Sequence, residues 1–170
     1  MTGRQAGRNV RGFTIIELVV VIVIIGILAA TALPRFVNLA DDAHTASVKT
    51  MSSSFQSGIN LVHAGWISKG ATANVNAVTV EGGGSVGVND AGWPENAVST
   101  GGDGTATAAE CVALWSGLLN SAPSVSATAG AADWLASVQG TTTCRYTYNA
   151  ASGRYFDYNT STGALSVTVP

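Results

Sequence analysis

One acid stands inside a long apolar run: Glu17, in FTIIELVVVIVIIGILAATAL at 13–33. A carboxylate at membrane depth costs roughly 2.5 kcal/mol or more near a helix centre and less near an end, so it marks a function and needs a partner. No Lys, Arg or His lies within the same run. Cleavage between Gly12 and Phe13 would supply a cation, because the new α-amine of Phe13 lies at the same depth. Glu17 would then be the fifth residue of the product.

The other residues capable of chemistry do not converge. His44 and His63 share one predicted helix, but no Cys, Glu or third His stands at ligand spacing. Structural roles are expected instead, His44 at a subunit interface and His63 near a sheet edge. No serine sits in G-x-S-x-G, and GGGSVG at 82–87 lacks the Lys and helix of a phosphate cradle. Asn89 with Asp90, and Asp157 with Asn159, could each be half of a calcium site. Without a D-x-D-x-D-G loop, turn chemistry is the reading. Trp66, Trp93, Trp115 and Trp134 read as core and loop anchors rather than a sugar platform, and Asn159-Thr-Ser as a turn rather than a glycan acceptor. No catalytic residue, metal or cofactor is expected.

The elements that must position Glu17 follow from hydropathy. At about 1.5 Å per residue, 13–33 makes a helix of about 31 Å, the thickness of a bilayer's hydrocarbon core. Arg4, Arg8 and Arg11 precede it and no acid does, so the positive-inside bias keeps the N-terminus cytoplasmic and sends the rest outward. Those three belong to only eight Lys and Arg, against ten Asp and Glu, in 170 residues of which 11% are charged. The remainder is mildly acidic, with neither a polybasic lipid patch nor a nucleic-acid surface. Cys111 and Cys144 fall in the outward part, where an oxidising compartment favours a disulfide; spacing alone leaves two buried thiols as the alternative.

Beyond Pro34, Val37, Ala40, His44, Val48, Met51, Phe55, Ile59, Val62 and Trp66 recur at spacings of three and four. Asp41, Asp42, Thr45, Lys49, Ser52, Ser53 and Asn60 make the opposite, polar side. One helix through Trp66, kinked at Pro34, is predicted. Its first part, 13–33, is apolar all round and needs lipid or other subunits, while 34–66 has one face for a core. Residues 67–170 read as an α+β domain. A hairpin is expected at 77–80 and 85–88, a loop at 89–94, and a helix from the Thr107/Glu110 capping box through Asn120. A surface loop at 121–132, a strand at 134–138, and a meander at 141–148, 154–158 and 165–169 follow.

The stretch RGFTIIELVVVIVIIGILAATALP, with Gly12, Phe13, Glu17 and the apolar helix to Pro34, resembles the type IV pilin N-terminus. RFVNLADDAHTASV, the Gly-Trp-Pro loop at 92–94 and ATAAECVALWSGLL are similar to type IVa pilins of the mannose-sensitive haemagglutinin branch. The resemblance implies a long kinked helix packed on an antiparallel sheet, and a leader at 1–12 removed by a prepilin peptidase that also N-methylates Phe13. It further implies assembly through Glu17 into a helical homopolymer, with an assembly ATPase, a platform protein and a secretin as partners. The subunit would be stored in the inner membrane, then displayed on a surface fibre for attachment. Two rival readings are a pseudopilin of a type II secretion system, and a soluble periplasmic binding domain cut after Ala32 of the A-x-A sequence at 30–32.

If a peptidase must approach the backbone at Gly12, a branched side chain there blocks it. Gly12→Val should leave uncut precursor in the membrane, read as a larger band on an immunoblot; normal mature subunit would refute the cleavage site.

Overall fold

The computed structural model describes residues 12–70, 75–79, 84–96 and 104–170. Among the described residues two helices, α1 (Ile15–Ser68) and α2 (Ala108–Leu118), accompany eight strands. These are β1 (Val75–Thr79), β2 (Ser85–Val88), β3 (Pro94–Asn96), β4 (Val125–Ser126), β5 (Trp134–Gln139), β6 (Thr143–Tyr148), β7 (Tyr155–Asn159) and β8 (Leu165–Thr168). The chain divides into two compact units, Met1–Ala40 and Asp41–Pro170.

In the first unit α1 runs through Pro34 without ending. Its large apolar side chains lie open: Ile15 is 83% exposed, Ile27 63% and Leu33 64%. A helix apolar on every side cannot cover itself, because no face of it is polar enough to meet water while another is buried. The 1–11 part of the expected leader lies outside the described residues.

In the second unit α1 becomes one-sided. Val48, Phe55, Ile59 and Val62 are fully buried, which is the three-and-four spacing read from the sequence. The Phe55 ring is the centre of the packing, with Tyr146 at 5.0 Å, Phe156 at 5.4 Å, Tyr158 at 5.6 Å and Trp115 at 6.2 Å between centroids. At Gly58 the end of α2 comes so near that a Cβ would lie 2.7 Å from the Leu118 carbonyl oxygen. Only glycine permits that crossing.

The strands form two sheets rather than one, β1-β2-β3 and β4-β5-β6-β7-β8. The meander β5 to β8 is antiparallel in continuous register. Along it Trp134, Ala136, Cys144, Tyr146, Phe156 and Tyr158 point inward and are buried, the period-two alternation of a half-buried sheet. α2 begins at the Thr107 N-cap with the reciprocal Glu110 bonds of a capping box.

Several expectations need correction. The helix extends to Ser68, past Trp66. The 89–94 loop ends one residue early, since Pro94 opens β3 against β2. The 121–132 loop contains β4, which pairs parallel with β5, so the larger sheet is not wholly antiparallel. The polar side of α1 is not all outward: Ser52 is 3% exposed and turns its hydroxyl back to the Lys49 carbonyl. Such back-bonding spares a buried hydroxyl from needing a distant partner. Apart from these corrections, His44 is half-buried against Tyr148 of its own chain, centroids 5.7 Å apart. The connection at 80–83 and the side chain of Val37 lie outside the described residues.

Two core hydroxyls donate to backbone carbonyls of other elements: Tyr146 to Cys111 O of α2 at 2.8 Å and Tyr158 to Pro94 O of β3 at 2.7 Å. Burial pushes both phenols well above their ordinary pKa, and for Tyr158 nearby Tyr146 and Glu95 add to the effect. The unfolded chain ionises them from about pH 10, while the folded chain keeps them protonated. Their stabilisation is therefore complete below about pH 10 and is lost as pH rises further. Alkaline titration followed by tyrosinate absorbance should show these two ionising only as the fold is lost. Tyr146→Phe and Tyr158→Phe should each remove part of that late phase.

Candidate processing and assembly site

The first turn of α1 is closed by its own side chains. Thr14 O accepts the Leu18 amide at 3.2 Å, which makes Thr14 the N-cap. Glu17 Oε2 accepts from the Thr14 amide and the Thr14 hydroxyl, both at 2.8 Å, and the Glu17 amide donates to Thr14 Oγ1 at 3.3 Å. This is a capping box, in which N-cap and N3 satisfy each other's backbone donors. The carboxylate also sits at the positive end of the helix dipole. These bonds occupy Oε2 and leave Oε1 open to another donor.

Glu17 thus has neutral donors on its own helix. It also borders a shallow groove of about 320 Å³ with Phe13, Ile16, Val20 and Val21. Phe13 is 91% exposed. Gly12 stands next to it in open space: a Cβ built there meets no atom within 4 Å. Among the described residues no packing contact requires glycine at 12.

The remaining predicted site residues lie elsewhere. Pro34 is inside α1. Cys111 and Cys144 form a disulfide that ties α2 to β6, with Cα atoms 5.6 Å apart. His63 stacks on Trp93 at 3.9 Å and on Trp66 at 5.9 Å, its Nδ1 3.0 Å from Gly92 O. Asp157 is taken by Arg145 in two bonds of 2.7 Å. The hydrogen bonds to Asp157 hold the Arg145 pKa above its ordinary value against the cost of desolvation. Asn89 caps its own loop, accepting from the amides of Ala91 and Trp93. Among the described residues no three His, Cys, Asp or Glu side chains come together as a metal site.

With this geometry in place, the comparisons with known proteins fall on the same stretch. Residues 7–33 match the prokaryotic N-terminal methylation motif. This is the leader motif of type IV pilins. The chain is also similar to the type IV narrow pilus major component PilA5 of Thermus thermophilus. The two are 55% identical over 47 residues, 28% of this chain and 40% of that protein. The match thus spans less than half of the relative's length. No solved structure matches the chain. The α+β architecture, a long apolar N-terminal helix followed by strand-rich structure, is consistent with a pilin-like fold.

Sequence reasoning missed Thr14. The signal was present, since Thr14-Ile-Ile-Glu17 has the same T-x-x-E form as Thr107-Ala-Ala-Glu110. Loss of an N-cap hydroxyl costs about 0.5–2 kcal/mol, so Thr14→Ala should speed amide exchange at 16–18 in detergent micelles, whereas Thr14→Ser should not. Unchanged exchange in Thr14→Ala would show that the box does not hold the turn.

Proposed function

We propose that the chain is a structural subunit of a type IV pilus, held in the inner membrane by residues 13–33 and polymerised through the same helix into a surface fibre for attachment. The observation that carries this reading is the coincidence of the methylation motif with a helix that its own chain leaves uncovered. Such a surface demands lipid before assembly and neighbouring helices after it.

In this reading a prepilin peptidase cuts between Gly12 and Phe13 and methylates the Phe13 amine. The glycine serves the enzyme, which agrees with its having no packing role within the chain. The amine of an adjoining subunit then meets the open Oε1 of Glu17. Burying both charges is costly, and pairing recovers much of the penalty at one axial register only. Glu17 therefore governs alignment rather than membrane insertion. An assembly ATPase, a platform protein and a secretin would act on the subunit, which itself performs no catalysis.

Two measurements test the reading. Mass spectrometry of sheared filaments should find a chain beginning at methylated Phe13. Glu17→Gln keeps the side-chain size and drops the charge; it should leave subunit in the membrane while filaments counted by electron microscopy fall at least tenfold, roughly the effect of losing 1.4 kcal/mol of pairing per added subunit. Filaments at wild-type numbers would exclude the charge-pair role.

A further inference from the structure

Arg154 opens the strand β7 side of the 149–154 turn and is only 4% exposed. Its Nε donates to Thr45 Oγ1 at 3.2 Å and its Nη1 to the Ser152 carbonyl at 3.2 Å. Nη2 lies 2.6 Å from Asp41 Oδ1. That approach is not aligned as a hydrogen bond, so Asp41 serves Arg154 chiefly through its charge. The two partners differ sharply in exposure, with side chains 5% and 64% accessible for Arg154 and Asp41. Asp41 can return to water at little cost. Arg154 cannot, and removing its counter-charge leaves a buried cation uncompensated.

Asp41 and Thr45 reach the same guanidinium because they stand one helical turn apart. Four residues span about 6 Å in a helix but about 13 Å when extended, so unwinding 41–45 takes at least one of them away. His44, between them, rests on Tyr148 where the turn departs. Val48, one turn further, is fully buried. Upstream the situation reverses. Phe36 and Leu39 are 68% and 63% exposed, and Pro34 withholds one rung of the hydrogen-bond ladder. Asp41 is also the first residue of the second compact unit.

We infer that Arg154, with Asp41 and Thr45, is a stop on α1: unwinding or reorientation of the helix is confined to the residues before Asp41. The stop works by coupling helical geometry at 41–45 to neutralisation of a buried charge carried by the strand-rich part of the chain. This goes beyond the pilus reading and holds whether or not the chain forms a fibre. In a pilus it would set which part of the helix can adjust when a subunit leaves the membrane.

Hydrogen exchange on the full chain in detergent micelles tests it, because amides 45–48 donate to the carbonyls of 41–44. Asp41→Asn alters an exposed side chain and leaves Arg154 its bonds to Thr45 and the Ser152 carbonyl, so the variant should still fold, at some cost in stability that a thermal melt measures. It should accelerate exchange at 45–48 by about tenfold, with 55–62 unchanged, as local opening requires. Arg154→Met should accelerate the same amides, and adding Asp41→Asn to it should change nothing more, since the carboxylate then has no cation to serve. Unchanged exchange at 45–48 in Asp41→Asn would overturn the stop. So would additive effects in the double variant, or equal acceleration at 45–48 and 55–62, which would mean general destabilisation.

Discussion

α1 is one hydrogen-bonded ladder whose surroundings must change along its length, and the rest of the molecule answers that constraint. Before Ala40 its described large apolar side chains stand exposed, with Ile15, Ile27 and Leu33 more than half accessible. From Val48 onward one face is fully covered. No isolated helix of this composition is stable in water on propensity alone; tertiary packing must supply most of the free energy. In the second unit that packing comes from the aromatic shell around Phe55. In the first unit the chain offers nothing comparable, and lipid or neighbouring subunits fill the role in the proposed function.

The strand-rich unit is built around the buried face of a helix. Polar groups of its core side chains end on backbone carbonyls: Trp115 Nε1 on Pro123 in a loop, Tyr146 on Cys111 in α2, and Tyr158 on Pro94 in β3. Buried hydroxyl and indole donors need such acceptors. The disulfide joins α2 to β6 beside one of these bonds. At the far end of α1, indole rings close over two glycines that turn through positive φ, Trp66 over Gly92 and Trp93 over Gly163. A Cβ at either would collide with the ring. These contacts tie α1, the 89–93 loop and the turn after β7 into one cluster, and account for two of the four tryptophans as loop anchors. Trp115 and Trp134 are core.

The same T-x-x-E box appears at both helix starts with different consequences. At Thr107 and Glu110 it ends a loop and starts α2 in a solvated setting. At Thr14 and Glu17 it sits at the edge of an apolar run, where the carboxylate satisfies its helix and keeps one oxygen for something outside the chain. In the proposed function stability and assembly would draw on one side chain there, so an assembly defect in a Glu17 variant has to be read beside the state of the first turn.

What the sequence determined by itself was everything governed by neighbours along the chain. Periodicity placed α1 and its buried face, the capping box placed α2, and turn residues placed the β5 to β8 meander, because each signal arises within a few residues. The spacing that makes Gly12, Phe13 and Glu17 candidates also lies within a few residues. Tertiary structure alone decided which polar residues would face inward. Ser52 was buried by its place on the same face as Val48 and Phe55, and an arginine 109 residues away from Thr45 took Thr45 as a hydrogen-bond acceptor and Asp41 as its ion-pair partner. The split into two sheets and the parallel β4 likewise depend on pairings between distant segments. Such pairings are selected by the total burial and hydrogen bonding of the assembled domain, a quantity that no local stretch of sequence contains.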